Sequence, residues 1–311
     1  MQKSKTHSRR SLESLLMEIH QLEYLVAVVD EASFTRAAAR LHVAQPGVSA
    51  QIRKLERELG HELLDRSGRT VRPTDVGAAV LPHARAVLDG VAGVRHAVDE
   101  VTGLMRGSVT VGMIVSPGDV DLAGVLAHFH RAHPAVEITL STASSDELVD
   151  ALRTGHLDLA LIGLAGDAPP DIAIDVVLHE SLVAAVAPGD PLAGRTSITL
   201  AGLRDRDLIT QPVGSGIRAC LDQACAAAGV TPRIAFEVGD PRVVAQLAAE
   251  GLGVAILPES VAVARPAALH AIAVTRPQLR ARLVLAWRAA GPVSPAARVL
   301  IADARAALGG H

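Results

Sequence analysis

A polar and basic set of side chains near the start of the sequence could contact nucleic acid. Glutamine and serine side chains hydrogen-bond to base edges, while arginine and lysine side chains bind phosphate or guanine. Two small residues among them, Gly47 and Ala50, would let a helix that carries the set approach bases closely. The candidate contacts are Thr35, Arg36, Gln45, Pro46, Ser49, Ala50, Gln51, Arg53 and Lys54.

Three further arginines follow within a short stretch. Arg66, Arg69 and Arg72 lie around a Ser-Gly turn, a pattern that predicts a small hairpin, which we call the wing. Only Asp65 offsets their charge within the hairpin. The wing is therefore well placed to contact phosphates or a minor groove.

Apolar spacing predicts the two helices that would position these side chains. Phe34 and Leu41 mark a first short helix, for which Ser33 is a suitable N-cap. Pro46 suits the first turn of a second helix. The residues expected to point outward from that helix are Pro46, Ser49, Ala50, Arg53, Lys54 and Arg57. Its buried face would comprise Val48, Ile52, Leu55 and Leu59. The pair is typical of a helix-turn-helix over residues 34–53, although an ordinary amphipathic pair with a solvated charged face has the same spacing.

A valine repeat then predicts a long helix that associates with a second copy. Thr74 is a suitable cap for a helix from residue 75 to about residue 104, which Pro82 is expected to kink or loosen. Apolar residues alternate in steps of four and three, the seam of a coiled coil, which one helix cannot bury alone. The predicted dimer contacts are Val80, Val87, Val91, Val94, Val98 and Val101.

The pattern of apolar residues changes at residue 108, where short apolar runs begin to alternate with residues at helical spacing. Such alternation predicts α/β structure with a largely parallel sheet, in which ligands gather at strand ends and helix N-termini. A Ser144-x-x-Glu147 capping box marks one helix start, and a glycine loop at residues 214–216 could hold an anion with its main-chain amides. The candidate ligand contacts are Ser116, Ser144, Ser145, Gly163, Gln211, Gly214, Ser215 and Gly216. For Ser144 and Ser215, the alternative is a helix-capping role alone.

Composition excludes several other classes of protein. The chain has 311 residues, 49% of them hydrophobic, which is enough for more than one core. Its net charge of −3 means that any contact with DNA must come from a local basic patch. Two cysteines fit a reducing cytosol, and no apolar run or leader pattern predicts a membrane partner. No catalytic triad, metal-ligand set or cofactor loop is evident, so we expect neither an enzyme nor a metal site.

The run AAARLHVAQPGVSAQIRKLERELGHELLDRSGR resembles the N-terminal domain of LysR-type transcriptional regulators, and the match is dense across residues 17–77. Ala44, where serine is common, and Leu64, where phenylalanine is common, depart from the pattern. The resemblance implies a disordered extension (1–16), a winged helix-turn-helix (17–74), a linker and dimerisation helix (75–106) and an effector-binding domain (107–311). This last domain would resemble periplasmic binding proteins, with subdomain I at 107–181 and 282–311 and subdomain II at 182–281.

The resemblance also implies a function. The expected protein is a cytoplasmic, sequence-specific regulator that binds double-stranded DNA as a homodimer or homotetramer and responds to a small-molecule effector. RNA polymerase is a further expected partner, and no cofactor is implied. Two alternatives are a regulator without an effector and a redox-responsive regulator that uses Cys220 and Cys225. Paired cysteines also occur in this region of the family's peroxide-sensing branch, at a wider spacing, and only Cys225 falls near an equivalent position.

Overall fold

The computed structural model describes residues 17–309 except 69, 102–104, 116, 117, 119, 291 and 292, and for residues 89, 92 and 95–101 it describes the main chain only. The chain divides into two compact units, Met1–Val98 and Asp99–His311. In the described part of the chain, no helix is long and apolar enough to cross a membrane.

The N-terminal unit is a three-helix core followed by a hairpin and a long helix. Its elements are α1 (Ile19–Glu31), α2 (Phe34–Arg40), α3 (Gln45–Leu59), β1 (Leu64–Asp65), β2 (Arg72–Pro73) and α4 (Asp75–Val101). β1 and β2 pair antiparallel, which confirms the predicted wing. Leu25 and Val28 of α1 pack against Val48, Ile52 and Leu55 of α3, and all five side chains are fully buried. Leu59, predicted to belong to the buried face of α3, is exposed because it lies in the last turn of the helix.

The predicted helix caps are present in this unit. Ser33 Oγ accepts the Arg36 N–H at 3.3 Å, and Thr74 Oγ1 accepts the Gly77 N–H at 3.0 Å at the start of α4. Gly77 must remain glycine, because a Cβ there would lie 2.0 Å from the Leu63 carbonyl oxygen. The start of α4 is thus held tightly against the strand that opens the wing.

The first turns of α4 complete the N-terminal core. Leu81 and Ala84 are buried in that core, and the half-buried Val80 packs against it. α4 continues through Pro82 without a break in its helical assignment. The prediction that Val80 belongs to an exposed dimer seam therefore needs correction, since its side chain covers the core of its own unit.

The C-terminal unit is α/β, as predicted, and has two lobes. Lobe I contains β3 (Gly107–Met113), α5 (Leu122–Ala132), β4 (Val136–Thr142), α6 (Ser145–Arg153), β5 (Leu159–Leu164), the first part of β6 (Ile172–Val186), β12 (Arg280–Arg288) and α10 (Pro295–Leu308). Lobe II contains the rest of β6, β7 (Ser197–Thr199), β8 (Asp207–Thr210), α7 (Gly216–Ala228), β9 (Arg233–Glu237), α8 (Pro241–Ala249), β10 (Val254–Pro258), α9 (Glu259–Val263) and β11 (His270–Thr275).

Strand β6 joins the two lobes. Its first part pairs with β12, which also pairs with β5, and its last part pairs with β10 and β11. The sequence predicts a strand only from Ser181, so the first nine residues of β6 were missed, as were β7 and β11. The pairing of β12 places it in lobe I, where the resemblance puts it. Because β6 and β12 cross from one lobe toward the other, the strand ends and helix starts of both lobes can face a shared cleft.

Candidate functional sites

The exposed face of α3 carries the first candidate site. Gln45, Pro46, Ala50 and Arg53 are exposed, as the helical spacing predicts. Ser49 is not, since only 9% of its surface is accessible. The Arg53 guanidinium lies over it and donates from Nη2 to Ser49 Oγ at 2.9 Å and from Nε to the Ser49 carbonyl at 3.3 Å. The predicted outward position of Ser49 is therefore wrong, because an arginine one turn later covers the hydroxyl.

Two other predicted contacts on α3 are held by α1 and the residue before it. The Lys54 ammonium pairs with the Glu18 carboxylate, and this hydrogen bond lowers the pKa of Glu18 below its ordinary value. Gln51 Oε1 accepts from Gln21 Nε2 at 3.4 Å, where Gln21 is fully buried. Lys54 and Gln51 are half-buried, so part of their hydrogen-bonding capacity stabilises the helix packing.

Helix α2 and the wing add further basic groups. Thr35 and Arg36 are exposed, and Arg36 Nε lies 3.7 Å from Glu31 Oε2. Arg72 on β2 is exposed, and Arg69 lies outside the described residues. Among the described residues, neither Arg53 nor Arg72 has a carboxylate within 4.0 Å, so their charge is available to an external anion.

Arg66 makes contacts within the protein that the sequence does not predict. Its Nη2 lies 2.6 Å from Glu56 Oε2, and its guanidinium lies 5.3 Å from the centre of the Phe34 ring. Glu56 is 9% exposed and also accepts the N–H groups of Leu63 and Leu64 at 3.0 and 3.3 Å. Arg66 thus neutralises a buried carboxylate that holds the wing to α3. The sequence pattern gives no sign of Glu56, because a charged residue in an amphipathic helix is normally solvated.

The valine seam of α4 is exposed beyond its first turns. Val87 is 44% exposed and Val94 is 69% exposed, while Val91 is half-buried. The side chains of Val98 and Val101 lie outside the described residues. Two large apolar side chains on one helical stripe are thus accessible within this unit.

A cavity of about 190 Å³ lies between the two lobes of the C-terminal unit. Lobe I contributes Ser144 and Ser145 at the start of α6 and Gly163 in β5. Lobe II contributes Gln211 after β8 and the first turn of α7. Six of the eight predicted ligand contacts line this cavity, namely Ser144, Ser145, Gly163, Gln211, Ser215 and Gly216. Ser116 lies outside the described residues.

Both predicted helix caps are formed at the cavity. Ser144 Oγ accepts the Glu147 N–H while the Glu147 side chain accepts the Ser144 N–H at 2.9 Å, which confirms the capping box. The two hydrogen bonds from Ser144 lower the pKa of Glu147. Ser215 Oγ accepts the Arg218 N–H at 3.2 Å at the start of α7. The Ser144 hydroxyl also donates to Glu147 Oε2 at 2.7 Å, so it is committed to its own helix. The Ser215 hydroxyl proton has no acceptor among the described residues and is available to a ligand.

The lobes touch along one rim of the cavity. The Asp146 N–H donates to the Gly214 carbonyl at 3.1 Å, which joins α6 to the glycine loop. A Cβ on Gly216 would lie 2.4 Å from the carbonyl carbon of Gly163, so only glycine permits this approach of two main chains. Gly214 adopts a φ of 92° and does not line the cavity. Its predicted role as a ligand contact is therefore replaced by a contact between the lobes.

Two polar side chains at the cavity are more than nine-tenths buried. Ser145 is 3% exposed, and its Oγ accepts the Gly163 N–H at 3.1 Å, which leaves the hydroxyl proton without an acceptor among the described residues. Gln211 is 7% exposed, and its Nε2 donates to the Gly239 carbonyl at 2.7 Å, which leaves Oε1 without a donor among the described residues. One donor and one acceptor are thus left for a ligand.

Sequence reasoning missed the charged residues of the cavity. Glu180 of β6 and Arg282 of β12 both line it, whereas little charge was expected in this region. Glu180 Oε1 accepts the Ser260 N–H at 3.0 Å at the first turn of α9. The missing signal is the first part of β6, since Glu180 falls in the segment that was not recognised as a strand.

Cys220 and Cys225 are both buried in α7 and neither forms a disulfide. Cys220 Sγ donates to the Arg280 carbonyl at 3.3 Å. Burial raises the pKa of both thiols, which lowers their thiolate fraction near neutral pH. This environment is typical of structural cysteines rather than of redox sensors.

A winged helix-turn-helix with an exposed basic helix, followed by a two-lobed α/β unit with a polar cleft, is the architecture of a DNA-binding regulator. Two family models match the chain: the bacterial regulatory helix-turn-helix of the lysR family over residues 19–78, and the LysR substrate binding domain over residues 102–309. The chain belongs to the LysR family of DNA-binding transcriptional regulators.

Similar proteins and solved structures support this family assignment. The HTH-type transcriptional regulator ShiR of Corynebacterium glutamicum is 34% identical over 87% of this chain and 92% of its own length. A full-length OxyR variant from Pseudomonas aeruginosa has a TM-score of 0.71 at 28% identity, over 93% of this chain and 95% of that chain. Full-length CbnR complexed with its target DNA has a TM-score of 0.56 at 28% identity, over 94% and 100% of the two chains. These relatives are regulators rather than enzymes, and DNA is the partner that the family shares.

Proposed function

We propose that this regulator reads duplex DNA with the exposed face of α3 and the wing, and that a small polar or anionic effector binds between its lobes. Gln45, Ala50 and Arg53 would contact base edges, while Arg72 would contact phosphate. The proposed site of action is the cytoplasm. RNA polymerase is the proposed further partner through which bound regulator alters transcription.

The observation that carries the effector assignment is the cavity itself. It is lined by both lobes, at the starts of two capped helices, and the Ser145 hydroxyl proton and Gln211 Oε1 have hydrogen-bonding capacity that no described residue uses. A ligand that pairs with these two groups would replace the water around them, which supports a binding role for the cleft.

The proposed mechanism is a shift between two arrangements of the lobes. The Asp146–Gly214 hydrogen bond and the contact between Gly163 and Gly216 join the lobes along one rim of the cavity. An effector that binds one arrangement better than the other would favour that arrangement in proportion to the difference in affinity. A dimer formed through the α4 seam, and a tetramer built from two dimers, would pass this change on to the DNA.

A metabolite screen on the full chain tests the effector assignment. Thermal unfolding is measured for the wild type, for Ser215→Leu, whose side chain would fill the cavity, and for Ser197→Leu, an exposed strand position that does not line the cavity. We expect at least one compound to stabilise the wild type and Ser197→Leu but not Ser215→Leu, with operator binding retained in all three. Equal stabilisation of all three proteins would place the ligand elsewhere, and a complete absence of hits would favour a regulator without an effector.

A further inference from the structure

Glu180 is a carboxylate on the wall of the proposed effector cavity without a counter-charge. One of its oxygens accepts the Ser260 N–H at 3.0 Å, and the described residues provide no other hydrogen bond or ion pair to it. A carboxylate that is partly removed from water is stabilised when a cation or a hydrogen-bond donor approaches it. The second oxygen of Glu180 is therefore available to a ligand.

Arg282 is the other charged residue among the described residues that line the cavity, but it does not neutralise Glu180. The two side chains form no ion pair within 4.0 Å, and the strand register explains why. Glu180 lies opposite Ala281, whereas Arg282 lies opposite His179. Because side chains alternate between the faces of a sheet and cross-strand partners share a face, the Arg282 side chain points away from the face of Glu180, although the residue borders the cavity.

The opposite polarity occurs at the start of α7. Helices α6 and α7 have nine and thirteen residues, and the N-terminal turns of both line the cavity. At α6, the Asp146 and Glu147 N–H groups already donate to the Gly214 carbonyl and to Ser144 Oγ. At α7, the Gly216 and Ile217 N–H groups have no acceptor among the described residues and favour an anion. The buried Ser145 hydroxyl adds a donor, as described above. Much of the remaining wall is apolar and includes Ile114, Leu178 and Leu283. The cavity thus combines an anion-binding end, a carboxylate and an apolar wall.

We propose that Glu180 is a specificity residue that binds an ammonium group, so that the effector is a compact zwitterion, an α-amino acid with an apolar side chain. This inference rests on the proposed effector role of the cleft. The effector's carboxylate binds at the start of α7 and the Ser145 hydroxyl, its ammonium group binds Glu180 and the Gln211 Oε1 atom, and its side chain packs on the apolar wall. A simple carboxylic acid binds less well, because it leaves Glu180 unpaired beside a second negative charge.

Matched ligands on the full chain test the role of the ammonium group. Leucine is compared by calorimetric titration with 2-hydroxy-4-methylpentanoate, 4-methylpentanoate and 3-methylbutylamine, which share its carbon frame but change or lack one charged group. The same comparison is made on the carbon frames of valine and phenylalanine. In at least one frame, we expect the amino acid to bind at least about tenfold more tightly than the other members.

Two glutamate variants separate the charge of Glu180 from the fold. Glu180→Gln keeps an oxygen that can accept the Ser260 N–H, so we expect the unliganded protein to unfold at nearly the same temperature. In that variant, the preference for the amino acid over the plain acid should fall by at least about tenfold. Glu259→Gln removes the adjacent exposed carboxylate at the start of α9, which does not line the cavity, and should keep the wild-type preference.

The outcomes distinguish this inference from the proposed function on which it rests. Three results would contradict the proposal of a zwitterionic effector. The first is that plain acids bind as tightly as amino acids in every carbon frame, and the second is that the preference for the amino acid survives in Glu180→Gln. The third is that no member of the three frames binds. In each case, the cleft assignment stands if another metabolite stabilises the wild type but not Ser215→Leu. Binding that Ser215→Leu does not change would instead contradict the effector role of the cleft.

Discussion

The two units of this regulator expose their polar groups in opposite ways. On α3 and the wing, Arg53 and Arg72 are exposed and have no carboxylate within 4.0 Å among the described residues. In the cleft, Ser145 and Gln211 are more than nine-tenths buried, and each has one hydrogen-bonding atom left without a partner there. A surface that binds a polyanion needs solvated cationic side chains, which replace the counterions of the polyanion. A cavity for a small molecule must instead replace the water around its ligand.

The largest expected effect concerns Val87 and Val94, the two exposed valines of the predicted α4 seam. Replacing Val87 and Val94 with aspartate would bury charge in the seam, at a cost of several kcal/mol for each unpaired ion. Sedimentation should show monomers, and operator binding should be largely lost. Ala78→Asp, on the opposite face of the helix and exposed, is the control that should keep both assembly and binding. A double variant that stays dimeric would place the dimer contact elsewhere.

The next effect tests whether the cleft depends on close contact between main chains. Gly216→Ala would bring a Cβ to 2.4 Å from the Gly163 carbonyl carbon, so one of the two main chains would have to shift. Overpacking of this kind costs about 1–3 kcal/mol, so we expect a lower unfolding temperature and a lost effector response with operator binding retained. Gly189→Ala has no atom within 4 Å of the added Cβ and should match the wild type. An unchanged response in Gly216→Ala would show that the lobes need not touch there.

Two arginines of the N-terminal unit, Arg53 and Arg66, are expected to differ in what they contribute to DNA binding and to stability. Arg53→Ala should weaken specific DNA binding by about 1–3 kcal/mol if the guanidinium reads a base, with no loss of fold stability. Arg66→Ala should instead lower the unfolding temperature, because it leaves the buried Glu56 carboxylate without its cation. Gel-shift titrations on operator and random DNA, together with thermal unfolding, distinguish the two. If Arg53→Ala weakens binding to operator and random DNA equally, the contact is to phosphate. If it weakens binding to neither, α3 does not face the DNA.

Sequence periodicity predicted the elements of the N-terminal unit well, because each helix has one buried face and a recognisable cap. Ser33, Thr74 and the wing were found where expected. The errors concern side chains whose partners could not be predicted from helical spacing. Ser49 is covered by Arg53 of its own helix, and the other partners lie further away in sequence. Arg66 reaches Glu56 from the wing, and Lys54 reaches Glu18 from a distance of 36 residues. Helical spacing describes which direction a side chain faces but not which group meets it there.

The cleft was predicted from strand ends and helix starts, and six of its eight expected residues line the cavity. Glu180 was missed because β6 passes from one lobe to the other, so its burial pattern does not alternate in the way that marks a half-buried strand. Gly214 was misassigned because a glycine with positive φ serves equally well in an anion-binding loop and in a contact between lobes. The roles of Glu180 and Gly214 thus depend on the topology of the sheet and lobes, which the local sequence pattern does not give.

The smallest expected effect concerns the cysteines of α7, and it tests whether the cleft unit responds to ligands rather than to oxidants. Cys220 and Cys225 are five residues apart, so they point about 140° from each other around the helix and cannot form a disulfide while it is folded. Both are buried, and burial raises the pKa of both thiols, so the reactive thiolate is scarce at pH 7. Peroxide treatment should therefore leave operator binding unchanged, and iodoacetamide should modify neither cysteine until the protein is unfolded, as measured by mass spectrometry. Rapid modification of Cys225 in the folded protein, together with a peroxide-dependent change in DNA binding, would instead support a redox-responsive regulator.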